Sequence, residues 1–440
     1  MTSRLSEFAD ALRHSPGLLR LAFVRWVNQF GDGFFQAALG GAILFNPERQ
    51  TEPAAIAVGF VVLLLPYSAI GPFIGTMLDR WDRRNVLIWA AVVRCVLVLA
   101  ASAVLFASLN GPTLLLIALG AIGVSRFVLA GLSASLPNVV AARYLVPTNA
   151  VLVTLGAGFA GLGAAASIAV VAVVGEGDFG SGIATATSVV APVAAGVAAW
   201  GFRAGALGPG RVTLILARSA RAWRTEAAAV ARGLVTGARA VWDAPGVTTA
   251  LSALGAHRIV FGINTLIMVL ILQDPEGSLV LPGGLAGFGL AIAAAASGMV
   301  LAAVLVPFLI PLLGRTRTIV FGVALALTTQ LAFVRILEQD ALILAAFLLG
   351  IAGQSIKLCS DAAMQIEITD DKRGRVFALQ DMVFNAAFVA AIAVAAAFVA
   401  PDGRSVSLVY GGAVIYCLAL VGIALNARRR PPARRWWRRS

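Results

Sequence analysis

Gly75-Thr76-Met77-Leu78-Asp79-Arg80-Trp81-Asp82-Arg83-Arg84 places five charges within six positions, between two long apolar runs. Neither a packed core nor a bilayer interior holds so many charges without partners, so the charged part has to be a loop. The runs it joins, residues 54–78 and 86–106, are each long enough to cross a hydrocarbon layer as a helix. The stretch therefore reads as a tight turn at a membrane surface.

Runs of the same kind recur along the whole chain. They cover residues 18–45, 54–78, 86–106, 114–136, 150–174 and 183–202, then 247–272, 285–309, 319–337, 342–360, 376–399 and 406–425. With 60% of 440 residues hydrophobic, only 12% charged and a mean hydropathy of +0.90, lipid has to be the solvent for most of the surface. The expected fold is an all-α polytopic membrane protein of 12 transmembrane helices in two pseudo-symmetric six-helix bundles.

The basic residues set the orientation. Apart from those inside spans, they lie almost wholly in the tails and in the loops joining even to odd spans. Only Arg49 and Arg404 fall in the opposite loops, which carry acids such as Glu176, Asp178, Asp274 and Glu276. The positive-inside rule then puts both termini in the cytoplasm. The net charge of +13 is spent on these loops and tails rather than on one polyanion-binding face, so no nucleic-acid partner is expected.

The longest polar stretch carries seven arginines between residues 203 and 245 and divides the chain. The expected organisation is a cytoplasmic segment at 1–17, a first bundle at 18–202, an amphipathic cytoplasmic linker at 203–246, a second bundle at 247–426 and a basic tail at 427–440. Within the linker, residues 214–242 have helical apolar spacing with arginines between, which suits the membrane surface. The tail adds seven arginines and Trp436 and Trp437, a composition that favours anionic lipid at the inner leaflet. Gly120, Gly123 and Ser125 recur as Gly350, Gly353 and Ser355, 230 residues later, as a parallel repeat of six spans requires.

The loop quoted above resembles the signature loop of the major facilitator superfamily: glycine, three residues, aspartate, a basic residue, then a basic pair. Its place between spans 2 and 3 is also the family's. Asp82 stands where the family usually has glycine, and the second-half counterpart, Gly314-Arg315-Thr316-Arg317, has no aspartate. Arg126, ahead of Gly131 in span 4, is similar to the family's second motif. Span 5 carries Gly156, Gly158, Gly161 and Gly163 but lacks the Gly-Pro pair of drug:proton antiporters. The loop Asp370-Asp371-Lys372-Arg373-Gly374-Arg375 looks like that of bacterial exporters related to enterobactin and macrolide efflux carriers. The resemblance implies a gradient-driven carrier working by alternating access, with Gly75, Asp79, Arg80, Arg83 and Arg84 as a cytoplasmic gate.

Charges inside spans need a partner or a task. Arg25, Asn28, Gln29 and Asp32 share one face of span 1. Asp32 is the candidate proton-coupling carboxylate, and a fixed pair with Arg25 or Arg126 is its structural alternative. Arg94, Arg126, His257, Arg258 and Asn264 are further candidates for a central cavity, with Arg258 a possible cation for Asp32 or for an anionic substrate. Lys357 with Asp361, and Asp381 with Asn385, are spaced for structural ion pairing and hydrogen bonding.

The expected function is proton-coupled export of a small amphipathic compound, a drug-like molecule or siderophore, across the bacterial plasma (inner) membrane. Translocation of a lipid or lipid-linked anionic substrate is the alternative reading, and an integral membrane enzyme a third. The chain has no Gly-Lys dipeptide for a phosphate-binding motor loop, and its two histidines are too far apart for a zinc site. No cofactor, metal or disulfide is expected. The expected partners are a small-molecule substrate, protons and anionic lipids, with the carrier working as a monomer.

Overall fold

The computed structural model describes residues 2–44, 53–69, 81–109, 111–175, 177–208, 222–273 and 283–428. All regular structure among the described residues is helical. The chain divides into two compact units, one made of Met1–Thr51 with Gly59–Val230 and the other of Ala231–Ser440 with Glu52–Val58.

The first unit contains α1 (Thr2–His14), α2 (Leu18–Leu44), the greater part of α3 (Pro53–Ala69, from Gly59 on), α4 (Arg83–Phe106), α5 (Pro112–Val139), α6 (Leu145–Val174), α7 (Asp178–Thr187) and α8 (Val190–Trp200). The polar opening segment is itself a helix, and Phe8 and Ala11 of α1 join a core with Leu18, Leu21, Val24, Leu132, Leu136 and Leu152. One expected span, 183–202, is broken into α7 and α8. Pro192 has no N–H to donate back to Ser188, so the helix loses a rung there, and the Ser188 hydroxyl turns to the Thr185 carbonyl at 2.7 Å.

The second unit contains the greater part of α9 (Ala222–Asp243, from Ala231 on), α10 (Pro245–Leu272), α11 (Gly284–Leu313), α12 (Arg315–Ala332), α13 (Gln339–Glu367), α14 (Asp370–Ala396) and α15 (Val406–Ala427). Gly314 alone joins α11 to α12 at φ +79°, a left-handed conformation that glycine adopts without steric cost. Of the amphipathic linker, residues 203–208 form turns and α9 follows; residues 209–221, and the tail from 429 on, lie outside the described residues.

Helix pairing repeats between the units. α2 packs on α6 and α8, as α10 packs on α14 and α15; α4 packs on α5, α7 and α8, as α12 packs on α13 and α15. The α2–α6 seam is built from glycine. A side-chain carbon on Gly33 would collide with the Ala160 carbonyl, and one on Gly163 with the Phe30 carbonyl. Gly298 of α11 against Phe347, and Gly350 of α13 against Ala295, make the same kind of seam in the second unit. Small residues let helices approach closely where lipid removes any hydrophobic drive for them to associate.

The outer surface completes the physical picture. Val173, Leu312 and Phe398 leave 88%, 78% and 71% of their area uncovered, an arrangement suited to acyl chains and not to water. Among the described residues, ten helical segments are long and apolar enough to cross a membrane. α2 is not one of them, although it has 27 residues, because its polar stripe lowers its hydropathy.

Candidate functional site

The polar stripe of α2 points into the first unit. Arg25, Asn28 and Asp32 are all buried there, and Gln29 is half-buried against Gly156 of α6, where any larger residue would strike its amide. Asp32 forms an ion pair with Arg94 of α4, and both side chains are almost wholly enclosed. Asn28 bridges the pair to the helix: its Nδ2 donates to the Val24 carbonyl at 2.8 Å, and its Oδ1 accepts from Arg94 Nη1 at 3.4 Å.

The expectation that Arg25 or Arg126 would pair with Asp32 is therefore corrected. Arg25 lies two turns away, about 10 Å along the helix axis, and its Nη1 donates instead to Ser133 Oγ of α5 at 3.2 Å. Arg126 is half-buried on α5. Arg94 reaches Asp32 and Asn28 through its long side chain from α4, which makes it the cation within reach.

The second unit carries a neutral counterpart of this clamp. Asn264 of α10 and Gln330 of α12 exchange two hydrogen bonds, at 2.7 and 3.1 Å, and Gln330 Nε2 also reaches the Val409 carbonyl at 3.2 Å. Asn28 to Asn264 and Arg94 to Gln330 are both steps of 236 residues. The repeat thus preserves the position of the clamp and changes its charge. Gln330 escaped the sequence reading, although its register with Arg94, the same step of 236 residues that links Asn28 to Asn264, was an available signal.

His257 is buried, its Nδ1 3.1 Å from the Tyr416 hydroxyl of α15, and Gly353 of α13 makes room for its ring. Next to it, Arg258 lies over three rings, with its guanidinium carbon 3.8 Å from the Phe384 centroid, 4.5 Å from Phe388 and 5.4 Å from Phe261. Its Nε donates to the Phe384 carbonyl at 3.1 Å. Arg258 thus finds aromatic faces and a backbone acceptor of its own unit.

Lys357 and Asp361 form the intrahelical pair that their spacing suggests, at 2.9 Å, and Gln380 of α14 donates to Asp361 at 2.7 Å. Asp381 and Asn385 do not join side chain to side chain: Asn385 donates to the Asp381 backbone carbonyl at 2.9 Å, and Asp381 is exposed.

Of the signature loop, Gly75, Asp79 and Arg80 lie outside the described residues. The remainder forms a knot at the start of α4. Asp82 caps the helix by accepting from the Arg84 amide at 3.1 Å, and its other oxygen accepts from the Gly205 amide at 3.2 Å. Arg83 donates to the Ala134 and Leu207 carbonyls, and Arg84 to the Trp200 carbonyl. In the second unit the acid missing from the corresponding turn comes from elsewhere: Glu367, at the end of α13, lies 3.3 Å from Arg315 and accepts from the Gly246 amide of α10 at 2.9 Å. Among the described residues no cluster of side chains has the makings of a metal site.

The comparisons with known proteins agree with this architecture. No protein-family model matches the chain. MFS-type transporters of Mycobacterium bovis and Mycobacterium tuberculosis are each 41% identical to it over 424 residues, which is 96% of this chain and 94% of theirs. Among solved structures, a peptide transporter of the POT family has a TM-score of 0.68 at 14% identity, over 94% of this chain and 95% of that one. The nucleoside transporter NupG has a TM-score of 0.66 at 12% identity, over 93% and 99%. These two likenesses carry the fold; the mycobacterial relatives carry the family. The chain is a multi-pass membrane transporter rather than an enzyme, and it belongs to the major facilitator superfamily.

Proposed function

We propose that this transporter is a proton-coupled exporter of a small amphipathic compound in the bacterial plasma membrane, with Asp32 as the proton-binding group and Arg94 as its counter-ion. The observation that carries the reading is the Asp32–Arg94 pair, a titratable clamp enclosed in the first unit at the place where the second unit holds a neutral one. An ion pair costs several kcal/mol to desolvate in a bundle, whereas the amide pair makes the same helix contact without that cost. A chemical role explains why charge is kept at one repeat and not at the other. Protonation of Asp32 releases Arg94, and reionisation recaptures it, which gives two states for a gradient to bias.

The same reading takes the chain as twelve spans in two six-helix bundles at 18–202 and 247–426, with both termini cytoplasmic. The arginine balance of the loops supports that orientation. The knot at Asp82, Arg83 and Arg84, together with Asp79 and Arg80, then serves the cytoplasmic gate, and the arginine- and tryptophan-rich tail rests on anionic lipid. Similarity of the 370–379 loop to efflux carriers supports the export direction. The carrier works as a monomer.

The test is flux in proteoliposomes under an imposed pH gradient, with a panel of fluorescent amphipathic compounds. Asp32→Asn keeps an oxygen for Arg94 but removes its counter-charge, so flux is normalised to the folded protein reconstituted, and gradient-driven flux is lost. Coupled flux that is undiminished in the variant removes Asp32 from the mechanism.

A further inference from the structure

Within the second unit, not every charge on the spans is paired. Lys357 and Asp361 neutralise each other on α13. Arg258 of α10 is left with no ion pair among the described residues: its partners are the Phe384 carbonyl and the rings of Phe261, Phe384 and Phe388. Asp381, one turn before Phe384 on the neighbouring helix, does not pair with it.

Cation–π contacts offset only part of what it costs to hold a lone charge among spans. The guanidinium also has five N–H donors in a fork, of which the Phe384 carbonyl takes one. Its Nη nitrogens make no hydrogen bond to any described residue. The position is nonetheless built: a side-chain carbon on Gly262, one turn beyond Arg258, would lie 2.7 Å from the Phe388 carbonyl, so α10 and α14 are held together at this level. A cation fixed by rings on one side, with its fork unfilled, is complementary to a planar anion carried on an apolar or aromatic body.

We propose that Arg258, with Phe261, Phe384 and Phe388, is a binding site for the anionic group of the transported compound, so that the substrate is an amphipathic anion such as a carboxylate or a phosphate ester. The fork of Arg258 takes the anion in bidentate fashion, and the phenylalanine rings take the adjoining apolar body. The site names the substrate class of the carrier reading above and rests on it. Free anion and lipid headgroup share this chemistry, and the experiment tells them apart.

The measurement is thermal melting of the detergent-purified full chain with phenylbutyrate, its neutral amide and phenylbutylamine as probes, and separately with phosphatidylglycerol or phosphatidylcholine added to the micelles. Phenylbutyrate raises the melting temperature where the amide and the amine do not. Arg258→Gln raises the concentration needed by at least about tenfold, as the loss of a charge-assisted pair implies, and Arg258→Lys lies between. Protection by phosphatidylglycerol alone, lost in Arg258→Gln, upholds the site with a lipid as its anion. The proposal is overturned if neither anion protects more than its neutral counterpart, or if protection is unchanged in both variants. Asp32→Asn leaves Arg258 intact, so an anion effect that survives in that variant separates failure of the coupling mechanism from failure of the site.

Discussion

Asn264 and Gln330 exchange hydrogen bonds in both directions while standing 66 residues apart, the same separation as Asn28 and Arg94 in the first unit. Each amide satisfies the other in a place without water. Replacing either by leucine strands its partner, at a cost of about 1–2 kcal/mol. The double variant Asn264→Leu/Gln330→Leu costs less than the two single changes together. Unfolding of the purified protein in mixed micelles measures the difference, and strict additivity contradicts the pairing.

The repeat supplies its own control for the charged clamp. The residue 236 positions beyond Asp32 is Met268. Arg94→Gln alone leaves the Asp32 carboxylate enclosed without its cation, which costs about 3–5 kcal/mol. Asp32→Met/Arg94→Gln copies the second unit and recovers most of that loss. Melting temperatures rank wild type and the double variant above Arg94→Gln; a double variant less stable than the single one refutes the equivalence of the two clamps.

The glycines of α6 separate into two kinds. Gly163 abuts the Phe30 backbone of α2, whereas Gly158 and Gly161 have nothing within reach of an added carbon. Gly163→Leu therefore forces α2 and α6 apart and prevents accumulation of folded protein. Gly158→Ala and Gly161→Ala are neutral or slightly stabilising, since alanine favours the helix by about 1 kcal/mol. Size-exclusion profiles of the three variants check this ordering.

Glu367 replaces the acid missing from the turn at Arg315, and it also holds the first amide of α10. Both side chains are partly exposed, so the pair itself is worth about 0.2–1 kcal/mol. Glu367→Ala additionally frees the Gly246 amide and is expected to destabilise more than Arg315→Ala. Limited proteolysis near residue 314 reads the loosening; equal susceptibility of the two variants counts against a shared role.

Much of the fold was legible because lipid imposes long apolar runs, and most described helix ends lie within a few residues of them, although α13 runs on to Glu367 and the end of the 54–78 run lies outside the described residues. The break at Ser188 was not marked by charge, and only Pro192 announced it. The candidate site was less legible. Helical spacing placed Arg25, Asn28, Gln29 and Asp32 on one face, but which cation meets Asp32 depends on which other helix brings a long basic side chain to it, a tertiary fact that no local spacing encodes. Gln330, Tyr416 and Glu367 stayed hidden for a related reason: each acts through a residue more than sixty positions away.

Whether Asp32 titrates inside the bundle is best measured by infrared difference spectroscopy on the reconstituted protein as pH is lowered through the range in which it stays folded. Subtracting the spectra of Asp32→Asn isolates this one carboxyl group from Asp361 and Asp381. Proton coupling at the Asp32–Arg94 clamp predicts a protonated-carboxyl stretch that grows in the wild type and is missing from the variant. Identical spectra across the whole range contradict it.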